Sequence, residues 1–259
     1  MRVSIVVPLF RSAANLVELH ARLTAALRAE GDSYELLFVD DACPDGSADL
    51  LEGLAAADPR IRVIRLRHNQ GQHRAALIGA YHARGEAIVF MDADLQDLPE
   101  SIPGLIEPLG RGYAAVLARR DPSSVPPASR ISSRLFKVIV HTLCGIPADV
   151  GMFMAIDRRM RDALVAYRAR HVYLEGMVGL SRLAVATAAV PRAGRPRGSS
   201  AYTTWKRLRF AAWTVRCLLE CIVITGRRPS IDELYERPVA RVSAAAPPSP
   251  ATSARRLDA

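Results

Sequence analysis

Five short apolar runs recur along the first half of the chain: RVSIVVP (2–8), YELLFVD (34–40), RVIRL (62–66), EAIVFMD (86–92) and YAAVLA (113–118). Each is too short for a helix and rich enough in apolar side chains to be a buried strand. Segments of helical period lie between them. In 13–30, Leu16, Leu19, Leu23 and Leu27 recur at three or four. Ser47 can cap a helix running to about residue 57. Residues 72–84 read as a helix, and Pro99 opens another over 99–109. Strands alternating with helices predict an α/β class with a mostly parallel sheet covered on both faces. Such sheets bind ligands beyond the carboxyl ends of their strands. Here those ends carry Pro8–Arg11, Asp40–Ser47, Arg67–Gln72, Asp92–Asp97 and Arg119.

From about residue 128 the pattern changes. A helix over 128–144 carries Arg130, Arg134 and Lys137 on neighbouring turns. DVGMFMAI (149–156) reads as a further strand, followed by helices at 157–168 and near 172–180 and a strand at 183–190. After the loop PRAGRPRGSS a long helix is expected over 203–225. The tail turns polar after Pro229 and rich in Ala, Pro and Ser, a composition that does not build a core. One domain over 1–228 is therefore expected: a ligand-binding half (1–120), a second half (121–202) and a basic helix (203–228), with 229–259 a disordered tail.

Half of the 259 residues are apolar, enough for a packed core. The net charge is +9, and only Lys137 and Lys206 of the 35 basic residues are lysine. Residues 191–228 hold Arg192, Arg195, Arg197, Lys206, Arg207, Arg209, Arg216, Arg227 and Arg228 against Glu220 alone. So localised a patch points to one anionic partner: a phosphate, a membrane surface or nucleic acid. Aromatics are few and no nucleic-acid motif is present, which argues against nucleic acid. Cys43, Cys144, Cys217 and Cys221 form no CxxC pair, and no secretory signal begins the chain. Reduced thiols and a cytoplasmic setting are expected. No apolar run reaches eighteen residues, because Arg216 and Glu220 interrupt 210–226.

The chemistry-bearing residues cluster where the fold class puts ligands. Asp92 and Asp94 leave the fourth strand as alternate residues, so two carboxylates can meet one cation. Mg²⁺ or Mn²⁺ prefers such oxygen ligands and shares them with substrate phosphates. Asp97 has a blander use, capping the helix after Pro99. Asp40 and Asp41 end the second strand, where a carboxylate can accept from a base N–H or a ribose hydroxyl; DDACPDGS is also good turn sequence. Gly71, opening the helix at 72, permits close backbone approach. His68 and His73 read as hydrogen-bonding loop residues. Neither GxGxxG nor a P-loop is present.

PLFRSAANL, VDDACPDGS, NQGQHRAALIGA and MDADLQD, in this order and spacing, resemble glycosyltransferase family 2. The resemblance spans roughly residues 2–215 and implies the Rossmann-like, type A glycosyltransferase fold. NQGQH and DADLQD, with Arg119, DVGMF and RPRGSSAY, look like the branch that loads a sugar onto a polyprenyl phosphate, typified by dolichyl-phosphate mannose synthases and undecaprenyl-phosphate aminoarabinose transferases. By that resemblance Pro8 and Asp41, with Asp40 beside them, hold the nucleotide. Asp92 and Asp94 bind the metal, and Gln96 adds a metal or phosphate contact. Arg119, Arg130 and Arg195, with Arg134 near them, face the donor diphosphate and the acceptor phosphate.

Three positions depart from the family pattern. Phe10-Arg11-Ser12 replaces Tyr-Asn-Glu, Ala155 replaces an arginine, and Ala201 replaces the lysine of Gly-x-Ser-Lys-Tyr. The implied reaction is inverting transfer from a UDP- or GDP-sugar. A polyprenyl phosphate acceptor is already anionic near neutral pH and needs positioning. A soluble hydroxyl acceptor, the alternative, needs a base, for which Asp149 or Glu175 is available. The basic helix over 203–225 suits a membrane interface on the inner face of the cytoplasmic membrane, or packing on its own domain or a partner subunit. Packing on a partner subunit would make the protein a homo-oligomer.

Overall fold

The computed structural model describes residues 2–28, 33–119, 144–147, 149–166, 171–193 and 216–217. The expected helices over 128–144 and 203–225 (Cys144, Arg216 and Cys217 apart), the PRAGRPRGSS loop from residue 194 and the tail lie outside these, as do Arg130, Arg134 and Arg195.

Strands β1 (Val3–Leu9), β2 (Tyr34–Asp40), β3 (Ile61–Arg65), β4 (Ala87–Phe90), β5 (Ala115–Arg119), β6 (Val150–Asp157) and β7 (Val185–Ala189) form one seven-stranded sheet, ordered β3-β2-β1-β4-β6-β5-β7. Pairs β1–β2, β2–β3, β1–β4 and β5–β7 run parallel, while β6 is antiparallel to both neighbours. The mostly parallel α/β sheet is thus as the alternating pattern predicts. Because β6 is reversed, its first residues lie at the same edge as the last residues of β4 and β5; Arg119 is in register with Val150.

Every residue of β1 and β2 is buried. Alternation assigns them to opposite faces. Ile5, Val7, Leu36 and Phe38 join a core shared with Leu16, Leu19 and Leu23 of α1 (Ala13–Ala26) and Leu51 of α2 (Ser47–Ala57). Val6, Leu37 and Val39 join the core on the other face, under α3 (Gln72–His82), α5 (Arg158–Ala166) and α6 (Leu174–Leu180). A Cβ on Gly79 would collide with Val6, so this glycine lets α3 sit close against β1 and β2.

Four expectations need correction. The helix over 99–109 is broken into a 3₁₀ turn (Pro99–Ser101), α4 (Ile102–Ile106) and a second 3₁₀ turn (Glu107–Arg111), since Pro103 and Pro108 each remove a helical N–H donor. Ser47 does not cap α2; it is the first helical residue. The N-cap is Gly46, at φ +76°, and the Oδ1 of Asp45 before it accepts from the Ser47 N–H (3.3 Å) and Oγ (2.5 Å). Strand β4 ends at Phe90, paired with Val6, so Asp92 lies beyond it. Asp97 does not cap a helix. It is buried, bridged to Arg192 of the segment after β7, with its Oδ1 3.4 Å from Nε.

Candidate active site

A cavity of about 450 Å³ opens at the carboxyl ends of β1, β2 and β4. Pro8, Leu9, Phe10 and Ser12 line it from β1, Asp41 from β2, and Asp92, Ala93 and Asp94 from β4. Asn69, Gly71 and Gln72 close it from the loop that enters α3. The cavity thus lies at the strand ends to which the fold class points for ligands.

Left-handed backbone marks this rim. Of four described non-glycine residues with positive φ, Arg11 (57°), Ala42 (56°) and Leu95 (60°) follow β1, β2 and β4 respectively. Such conformations cost free energy and persist where surrounding contacts enforce them. At Leu95, a side chain 2% exposed anchors the strained residue. The Asp94 carboxylate accepts from the Gln96 N–H (3.0 Å), a local Asx bond that closes the same turn. A turn, rather than strand alternation, thus brings Asp92 and Asp94 to one wall. Behind them Asn15 of α1 donates to the Ala93 carbonyl (3.0 Å).

Asp41 fastens the opposite wall. Its Oδ1 accepts from the Gln70 N–H (2.6 Å) and its Oδ2 from the Gly71 N–H (2.9 Å). Burial pushes this carboxyl above its ordinary value, helped by the neighbouring Asp40 charge and opposed by the two amides. Gly71 is at φ +85°, open to glycine without strain. Its carbonyl accepts from Arg74 (3.1 Å) and Ala75 (3.0 Å), which starts α3. Asp40 is not among the residues that line the cavity and accepts from the Cys43 N–H (2.9 Å) in its own turn. Burial and that same Asp40 carboxylate push the Cys43 thiol up to about 12.

The remaining candidates lie behind or beside the cavity. Gln96 is 8% exposed, and its Nε2 has no hydrogen-bond partner among the described residues. Arg119 at the end of β5 is bonded to Asp149 (2.8 Å), so two predicted catalytic groups are partners of each other. Glu175, at the start of α6, is buried with its Oε2 3.4 Å from His73 Nδ1. His73, read as a loop residue, is in the first turn of α3, and its ring meets Tyr173 edge-on. The sequence reading placed Gln72 at the strand-end edge without a role, and missed Asn15; the Gln72 side-chain amide donates to Asp92. Their only signal was an amide residue in the first turn of a helix aimed at the strand ends.

Two carboxylates on one wall form a hard oxygen donor set. No third His, Cys, Asp or Glu completes a metal cluster with them among the described residues. That set suits a divalent cation that takes its other ligands from phosphate oxygens and water.

The glycosyl transferase family 2 sequence model matches residues 4–182, well over half of the chain. The chain belongs to glycosyl transferase family 2. Among curated proteins it is 34% identical over 219 residues to an undecaprenyl-phosphate 4-deoxy-4-formamido-L-arabinose transferase of Pseudomonas paraeruginosa, covering 83% of this chain and 65% of that protein. It thus spans about 65% of that relative's length. A mannosyltransferase from Pyrobaculum calidifontis, solved with GDP-Man and Mn²⁺, shares the family 2 chain's fold at TM-score 0.63 and 19% identity, over 88% of this chain and 66% of that one. Glucosyl-3-phosphoglycerate synthase from Mycobacterium tuberculosis, with Mn²⁺ and UDP, follows at TM-score 0.59 and 20% identity, over 85% and 80%. These two likenesses bear out the type A glycosyltransferase fold that the family resemblance implies.

Proposed function

We propose that this family 2 chain is a metal-dependent, inverting glycosyltransferase that moves a sugar from a UDP- or GDP-sugar to a polyprenyl phosphate. The carrying observation is the pair Asp92 and Asp94 on one wall of a strand-end cavity, with the nucleotide-side residues Pro8 and Asp41 facing the same space. Those carboxylates would hold Mg²⁺ or Mn²⁺, which supplies charge neutralisation for the departing nucleoside diphosphate. Pro8, Leu9 and Phe10 offer the nucleotide an apolar floor. The buried Gln96 amide, with its unpartnered N–H group, suits a phosphate oxygen.

The name of the Pseudomonas relative supports a lipid phosphate acceptor. So does the state of the acids a hydroxyl acceptor would need as base. Asp149 is tied to Arg119, and Glu175 is buried against His73. A phosphate monoester nucleophile needs neither, only cations to place it. Arg119, Arg130, Arg134 and Arg195 are proposed for that. The basic segment 203–228 is proposed to rest on the inner face of the cytoplasmic membrane; no helix among the described residues is long and apolar enough to cross one.

The test is turnover with purified protein, Mn²⁺ or Mg²⁺, a panel of UDP- and GDP-sugars, and undecaprenyl phosphate. Nucleoside diphosphate release is expected to require the lipid. Release that depends on a soluble hydroxyl acceptor, with the lipid without effect, would replace this reading by the hydroxyl one.

A further inference from the structure

The turn that carries Asp94 is held from behind by the segment after β7. Val190, the first residue past that strand, donates its N–H to the Arg119 carbonyl at the end of β5 (3.4 Å). Two residues on, Arg192 forms an antiparallel bridge with Asp97, and the Ala193 N–H donates to the Gln96 carbonyl (3.0 Å). Gln96 is thus gripped twice along its backbone. Its N–H serves the Asp94 carboxylate (3.0 Å) and its carbonyl takes Ala193. The side chains repeat the main-chain pairing: Arg192 Nε lies 3.4 Å from Asp97 Oδ1, with the Asp97 side chain 4% exposed and that of Arg192 19%. By sequence Arg192 belongs to the basic stretch 191–228, yet its guanidinium turns inward onto a buried acid.

We infer that Arg192 and Asp97 are positioning residues for the cation site: their pairing fixes the backbone at Gln96 and, through it, the carboxylate of Asp94. This deepens, and rests on, the reading of Asp92 and Asp94 as holding a divalent cation. Desolvating two charges offsets much of their attraction, so a buried pair is weak support for stability and better suited to fixing one register. The register fixed here is that of residues 96 and 97. They directly follow Leu95, whose left-handed backbone (φ 60°) persists where its surroundings enforce it. The Asp94 carboxylate accepts from the N–H of the same residue whose carbonyl Ala193 holds. A slip of residues 192–193 would therefore move the Gln96 N–H and, with it, the orientation of Asp94 toward the cavity.

Mn²⁺ binding to the full chain tests this, read from the electron paramagnetic resonance signal of the free ion with UDP and, in parallel, GDP present. Removing one charge alone would strand the other in the interior, so both are removed together. The double variant Asp97→Asn/Arg192→Met keeps side chains of similar size and leaves no charge at either position. Its Mn²⁺ affinity is expected to fall about 10-fold, the lower end of what loss of an outer-sphere partner produces. Its nucleotide affinity without metal is expected to match the parent. Arg192→Lys keeps a cation opposite Asp97 but not the planar fork, and its Mn²⁺ affinity is expected to lie between the two. If the double variant folds and binds Mn²⁺ as tightly as the parent, the positioning role is overturned while the metal reading stands. Where the double variant does not fold, parental Mn²⁺ affinity in Arg192→Lys overturns the role in the same way. An equal loss of nucleotide binding without metal also overturns it, by showing that the whole cavity wall has moved. If the parent binds no Mn²⁺ with either nucleotide, the metal reading falls first and this inference with it.

Discussion

Asp94 sits in a turn that the chain strains itself to make. Leu95 pays a left-handed φ of 60° so that Asp94 can cap Gln96 while its side chain lines the cavity. The substitution Asp94→Asn keeps that local acceptor oxygen and removes the charge. If Asp94 holds the cation, turnover in the sugar-transfer assay should fall about 100-fold or more, as when transition-state charge stabilisation is lost, with the melting temperature nearly unchanged. Full activity of this variant would remove the metal assignment. At this scale the sequence was informative about which groups carry charge and poor about what they touch. Asp41 and Asp92 were legible as strand-end acids. That one receives the Gln70 and Gly71 amides and the other the Gln72 amide depends on loop geometry between distant positions.

Helix α3 is the element on which the site turns. It covers β1 and β2 from one face, and Gly79 brings it close enough for its first residue to reach the end of β4. The substitution Gly79→Ala would force a methyl group into Val6. Overpacking of this kind costs about 1–3 kcal/mol, more than the helix propensity gained from alanine. A lower urea midpoint is expected. A midpoint equal to the parent's would show that the seat of α3 can widen at no cost. The helical period of 72–84 was readable. The closeness of its seat was not, since a glycine inside a helix is equally consistent with a loose one. The 99–109 segment makes the converse point. Pro99 reads as opening one helix there, and the hydrogen-bond donors missing at Pro103 and Pro108 divide it.

Over the whole molecule, acid groups far from the cavity tie elements together. Asp58, buried just after α2, accepts from His20 of α1 (2.9 Å) and from Arg60 (2.8 Å to Nε). Burial disfavours its charge, but the Arg60 and His20 hydrogen bonds outweigh that and hold the carboxyl well below its ordinary value. A carboxyl lowered by folding adds stability above its unfolded value of about 3.9, and that stability is lost as pH falls toward the folded value. Stability measured by urea unfolding should therefore drop below about pH 4. The Asp58→Asn variant, less stable at neutral pH, should show a smaller drop over the same range. Equal acid sensitivity in both would assign the effect to other carboxyls, such as the buried Glu35 with Ser4 and Arg62.

The sequence alone determined the class of fold, and it pointed to the sheet edge at which the cavity lies and to two acids that line it. Hydrophobic period and strand-end composition are local properties, written in consecutive residues. Only the tertiary structure decided that β6 runs backwards, that Arg119 and Asp149 pair with each other, that Asp97 pairs with Arg192, and that the Gln72 amide meets Asp92. Each of these joins residues twenty or more positions apart, and which partner a charged or amide group meets is set by the packing of whole elements rather than by the order of its neighbours.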